Sequence, residues 1–210
     1  PGDPTYRTFR ETRVERIGGP ITTLRIGVVG VEGGPTRWIA LADEPGTFYL
    51  NPLGWAGNSD EVLVDKLSRS RDAREGLLAN HRTGAIAKAY AETDPAWVDM
   101  ENGGLEWIGG GKTFVVFSER DGWRRAYVVS PDGAGMTPIT PAGSDVIERG
   151  RLDDKNGWFY YFASPSNATQ RYLYRERLDG TGTPERLTPQ DQPGSHEYVF
   201  SSGSRWAFHT

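Results

Sequence analysis

The chain contains no cysteine, which excludes disulfides, thiolate metal sites and a cysteine nucleophile together, while leaving the redox compartment open. It also lacks a dominant charge. Its 24 Lys and Arg against 28 Asp and Glu leave a net charge of −4, so no basic field exists to draw in a nucleic-acid backbone or an anionic membrane. Apolar runs are short: stretches such as Phe159 to Ala163 fall far below the roughly 20 residues that a bilayer helix needs. Residues Pro1 to Arg16 are polar and charged, unlike a signal peptide. Histidine is scarce as well. His81, His196 and His209 show no His-x-x-x-His or Glu-flanked spacing, so neither a metal nor a cofactor is expected.

What the chain has in quantity is punctuation and aromatic surface. Among 210 residues are 27 Gly and 14 Pro, with 7 Trp, 9 Tyr and 8 Phe. The first pair of counts disfavours a helical bundle, and the second is far too high for a disordered segment. Short elements around a substantial core follow.

These elements recur. Gly111 to Ser118 (G-K-T-F-V-V-F-S) aligns with Gly157 to Ser164 (G-W-F-Y-Y-F-A-S) at an offset of 46. In nearly the same register Asp132-Gly133 matches Asp179-Gly180, and Ile139 to Pro141 matches Leu187 to Pro189. A diverged copy lies upstream, where Ser68 and Arg74 match Ser118 and Arg124 after the run Val62-Leu63-Val64, and another restarts at Tyr198. The best unit reads as four strands, Glu106 to Ile108, Thr113 to Ser118, Arg125 to Ser130 and Met136 to Thr140, separated by Gly-rich and Asp-Gly turns. Arg71 to Tyr90 is the one stretch with any helical character, and Gly76 and Gly84 interrupt it. Four strands in about 47 residues form a β-propeller blade. The fold class is therefore all-β, a partial propeller of about four four-stranded antiparallel blades. Blade-like units are placed at about 12-54, 55-104, 105-148 and 149-195, with an incomplete unit at 196-210. Closed rings have about four to eight blades, and roughly four and a half units with the last ending in mid-blade read as part of a larger ring. Expressed alone, it is expected to self-associate through open edges near Leu24 and Thr210.

Ser118 to Arg124 (S-E-R-D-G-W-R), the tyrosine-rich strands that follow, and Leu178-Asp179-Gly180 leading to Glu185 to Thr188 resemble the propeller of the dipeptidyl peptidase IV family. Those proteins are serine peptidases of the prolyl oligopeptidase clan. Leu24 to Gly30, Gly54 to Ala56, Tyr172 to Arg175 and Arg205 to Ala207 extend the resemblance across nearly the whole chain from about Thr12. It implies an eight-bladed propeller capping a C-terminal α/β-hydrolase domain, whose Ser-Asp-His triad releases N-terminal dipeptides after Pro or Ala. It also implies peptide substrates as partners, allows a homodimer, and favours a periplasmic or other extracytoplasmic setting. The family's amine-holding pair of adjacent glutamates finds no match here. Asp43-Glu44, Asp60-Glu61 and Asp153-Asp154 are the adjacent acidic pairs, all in turn-like contexts. Where many relatives carry His after Gly-Trp-Arg, this chain has Arg125, which bears on local strand-edge contacts.

No catalytic residue is assigned. Gly57 to Glu61 lacks the second glycine of a nucleophile elbow, and Gly109 to Thr113 lacks the first glycine and the following helix of a phosphate loop. Asn167-Ala168-Thr169 is a glycosylation sequon with a sufficient reading as a hairpin tip. Trp158 to Phe162 reads as core between blades. Trp97 to Asn102, in a blade-to-blade connection, is the best substrate-facing candidate, with Asp99 and Glu101 as contacts for an amine or a peptide backbone. The alternative function is a propeller that binds proteins or peptides and has no peptidase domain; a site in the central channel would need converging carboxylates or histidines, which the repeat positions do not supply.

Overall fold

A computed structural model describes residues 19, 22–41, 46–99 and 105–210. Every regular element among them is a strand. A two-stranded ribbon, β1 (Gly27–Val28) and β2 (Arg37–Trp38), comes first. Three four-stranded antiparallel sheets follow, each in simple up-and-down order. The first is β3 (Phe48–Trp55), β4 (Glu61–Ser68), β5 (Ala73–Asn80) and β6 (Ile86–Thr93). The second is β7 (Glu106–Ile108), β8 (Thr113–Ser118), β9 (Arg125–Val129) and β10 (Met136–Pro138). The third is β11 (Glu148–Asp153), β12 (Trp158–Ala163), β13 (Tyr172–Arg177) and β14 (Glu185–Arg186). A final ribbon pairs β15 (Tyr198–Phe200) with β16 (Ala207–His209).

The sheets stack face to face, and the middle strands show it residue by residue. Alternate side chains of a strand point to opposite faces, so a strand buried on both faces must be apolar throughout. On β12, Phe159, Tyr161 and Ala163 join Ile108, Val115 and Ala126 of the second sheet, whereas Tyr160 and Phe162 face Tyr198 and Phe200 of the last ribbon. On β8, Val115 looks towards the third sheet, and Phe114 and Val116 look back to Leu63, Leu78 and Tyr90 of the first. The aromatic block Trp158 to Phe162 is thus core between blades. Outer strands carry the residues that an exposed edge tolerates: Pro138, with no N–H to offer, ends β10 at the rim of its sheet.

Strand boundaries refine the repeat. The first four-stranded sheet begins at Phe48, so the boundary expected at 54/55 cuts through β3. Pro52 and Gly54 flank a bulge in the pairing of β3 with β4. The match of Ser68 and Arg74 to Ser118 and Arg124 holds only for the serines. Ser118 pairs with Arg125, but Leu67 is the partner of Arg74, because the turn after β4 is shorter. Residues 71–90, the helical stretch, contain β5 and most of β6.

Antiparallel order sends the turns to two rims. The turns between the first and second strands lie on one, where successive blades touch. Gly57 and Gly111 approach so closely that an added Cβ on Gly57 would sit 2.6 Å from the Gly111 Cα. Asp154 accepts from Gly109 N at 3.0 and 2.9 Å, and Arg151 donates to Ser204 Oγ at 3.2 Å and Ser202 O at 3.1 Å. The opposite rim holds the second-to-third turns and the connections between blades.

Candidate functional site

That opposite rim carries an open pocket between the first two sheets, lined by Glu92, Asp94, Trp97, Asp99, Ser118, Glu119, Arg120 and Arg124, among others. Its floor is an inter-blade polar lattice. Buried Ser118 donates to Glu92 Oε1 at 2.6 Å, and Arg120 donates to Ser118 Oγ at 3.2 Å and Ala91 O at 2.7 Å. Beneath it Arg74 grips Asp65 through Nε and Nη2 at 2.8–3.0 Å, and Tyr90 O–H donates to Asp65 Oδ1 at 3.0 Å. Asp65, Arg74, Tyr90, Glu92 and Ser118 are almost wholly buried and fix the floor, while Arg120 is exposed above them.

The wall comes from the connection after β6. Asp94 Oδ1 accepts from Ala96 N at 2.7 Å and Trp97 N at 3.1 Å, bonds that hold its carboxyl below the usual range. Val98 is buried and donates its N–H to Arg71 O at 2.6 Å. Arg71 lies 4.8 Å over the Trp97 ring, which is half exposed. Asp99 is therefore carried to the mouth of the pocket on an anchored turn. Facing it, the Glu119 carboxyl is pushed up by partial burial and by the nearby Asp99 and Asp145 charges. The neighbouring Asp99 and Asp145 charges outweigh the opposing Arg124 at Glu119, so a further cation, such as an ammonium group, is favoured beside that carboxyl, with an exposed indole next to it.

The remaining candidates have local roles. Asn58 Oδ1 accepts from Asp60 N and Glu61 N, making Gly57 to Glu61 a plain turn into β4. Asp60 pairs with Arg82 at 2.7 Å, and Asp153 holds the Asn156 side chain at 2.8 Å, so neither adjacent acidic pair converges on a ligand. The anion received at Gly109 is the chain's own Asp154 carboxylate. Asn167 Oδ1 accepts from Thr169 N and Oγ1 at an exposed tip. Arg125 donates to Thr140 O and pairs with Asp121. Asp43-Glu44, Met100, Glu101 and Asn102 lie outside the described residues. His81 packs edge-on against Trp55, while His196 and His209 meet at 2.9 Å. Their 13-residue separation hid that contact, which a hairpin starting at Tyr198 could have revealed.

A sequence model of the family described as Dipeptidyl peptidase IV (DPP IV) N-terminal region matches residues 5–210. Curated relatives include "Probable dipeptidyl-aminopeptidase B" of Pyrenophora teres f. teres, 25% identical across 100% of this chain and 24% of that protein. The protein so named in Emericella nidulans is 26% identical across 99% of this chain and 24% of its own length. The chain thus spans about a quarter of the curated relatives it matches. Among solved structures, the crystal structure of Porphyromonas gingivalis dipeptidyl peptidase 4 aligns with a TM-score of 0.76 at 20% identity, over 89% of this chain and 26% of that one. It shares the propeller fold. With the match covering residues 5–210, the chain belongs to the dipeptidyl peptidase IV N-terminal region family.

Proposed function

We propose that this chain is the substrate-gating and peptide-positioning part of the propeller of a serine dipeptidyl peptidase that removes N-terminal dipeptides after Pro or Ala. The family match over residues 5–210 carries the proposal. The Asp99 and Glu119 pocket supports it with a chemistry suited to a free peptide amine. The chain positions the substrate and is itself non-catalytic; nucleophile, general base and oxyanion donors belong to a C-terminal α/β-hydrolase domain. An eight-bladed ring, a homodimer and an extracytoplasmic setting belong to the same proposal.

The test compares glycyl-prolyl and N-acetyl-glycyl-prolyl chromogenic substrates on the intact protein. Cleavage of the first and not the second is expected. Cleavage of neither, with alanyl dipeptides also untouched, overturns it in favour of a propeller that only binds proteins or peptides.

A further inference from the structure

His196 and His209 sit where the connection from the third sheet meets β16. His196 is 9% exposed, fixed by its own N–H to Arg171 O at 3.1 Å and by stacking on Tyr172 at 5.8 Å. His209 is exposed and stacks on its cross-strand partner Tyr198, with ring centroids 4.3 Å apart and planes 5° from parallel. Both rings are thus oriented by aromatic neighbours. The His196 Nε2 lies 3.1 Å from Gln192 O. A carbonyl only accepts, so Nε2 carries the proton and Nδ1 accepts from the Nε2–H of His209. That is the arrangement found in metal-binding histidines, where a backbone carbonyl or carboxylate holds the other ring nitrogen.

The Nδ1 of His196 and the Nε2 of His209 are joined by a hydrogen bond of 2.9 Å. Two imidazole nitrogens each about 2.05 Å from one ion and at right angles to each other are separated by about 2.9 Å. An ion that replaces the shared proton can take both nitrogens at such a separation, and Cu2+, with Ni2+ next to it, heads the affinity order of divalent first-row ions for nitrogen ligands.

We propose that His196 and His209 form a two-histidine site for a divalent transition ion of tetragonal preference, Cu2+ or Ni2+, with water in the remaining positions. His196 binds through Nδ1 and keeps its Nε2 hydrogen bond to Gln192 O. His209 binds through Nε2, moving its ring proton to Nδ1, so both rings stay neutral and no net proton is released. The bound ion bridges the connection leaving the third sheet to β16 and so fastens the last ribbon to its neighbour. Among the described residues no third His, Asp or Glu completes a cluster, which makes this a weak, exchangeable site.

The experiment titrates the intact protein with CuCl2 and with NiCl2 beside His196→Gln and His209→Gln variants, following bound metal and the unfolding midpoint. We expect each variant to lose one bound ion, or at least about tenfold in its affinity, together with the metal-dependent rise in midpoint. Equal binding by wild type and a folded variant overturns the proposal. Should a variant fail to fold, Cu2+ paramagnetic resonance on the wild type decides: hyperfine coupling to two imidazole nitrogens supports the site, and one or none overturns it.

Discussion

At the scale of single residues, the same backbone device closes the first hairpin in four successive units. Ser59 N donates to Ala56 O, Gly111 N to Ile108 O, Gly157 N to Asp154 O and Ser204 N to Ser201 O. The donor residue has positive φ each time: 58° at Ser59, 86° at Gly111, 72° at Gly157 and 53° at Ser204. Glycine adopts that region without steric cost, whereas serine is strained there. Ser204 offsets its strain by accepting from Arg151, but Ser59 has no such contact across blades among the described residues. Ser59→Gly is therefore expected to stabilise the protein by about 0.5–1 kcal/mol, read as a raised thermal midpoint; a lowered one would show that the turn is not strained. The repeated Thr-Pro is explained at the same scale. Thr140 Oγ1 accepts from Ala126 N at 3.1 Å and Thr188 Oγ1 from Leu173 N at 2.9 Å, each threonine being almost wholly buried. The repeat of these letters was legible in the sequence. Their purpose was not, because it lies in a bond spanning 14 or 15 residues.

Elements depend on pairings that composition alone misreads. Gly76 looked like an interruption of a helix, yet it sits between Asp65 and Tyr90 in the pairing of β4, β5 and β6. A Cβ there would come within 2.0 Å of the Tyr90 ring. The glycine leaves room for that ring to lie across β5 and reach Asp65. Gly76→Ala is expected to cost at least about 2 kcal/mol through crowding and loss of that hydrogen bond. In a Tyr90→Ala background the same change should cost under about 1 kcal/mol, since the obstruction is gone; equal costs in the two backgrounds would refute the role. On β13, Glu176 is buried between sheets with Tyr161 O–H donating at 3.3 Å. Burial pushes its pKa up to about 7, against the lowering influence of Tyr161 and Arg125. A carboxyl that is neutral when folded penalises the fold only once ionised. The penalty is absent below about pH 4.5, grows with rising pH and is complete above about pH 7, at about 3 kcal/mol. Stability should thus fall over that window in urea titrations, and Glu176→Gln should flatten the fall. An unchanged slope in the variant would assign the pH dependence elsewhere.

Over the whole molecule, the period, the four strands per unit and the face-to-face burial of middle strands were legible, because aromatic runs bounded by Gly, Pro and Asp-Gly leave few alternatives. The strands read at Glu106 to Ile108 and Thr113 to Ser118 match β7 and β8 residue for residue. Two kinds of feature were not legible. A bulge at Pro52 and Gly54 carries the same letters as a turn, and contacts between units, such as Asp154 with Gly109 or His196 with His209, depend on how blades stack. The candidate pocket was half visible. Trp97 and Asp99 were singled out by their place between blades, but Glu119, Arg120 and Arg124 reach the same pocket only because the neighbouring sheet lies against them. The two rims make the proposed gating role a question of orientation, which the structure of the intact protein answers. We expect the Asp99 and Glu119 rim to face the catalytic serine of the hydrolase domain across an enclosed chamber. A structure in which that rim faces bulk solvent, and the turns of Ser59, Gly111, Gly157 and Ser204 face the serine, would contradict it.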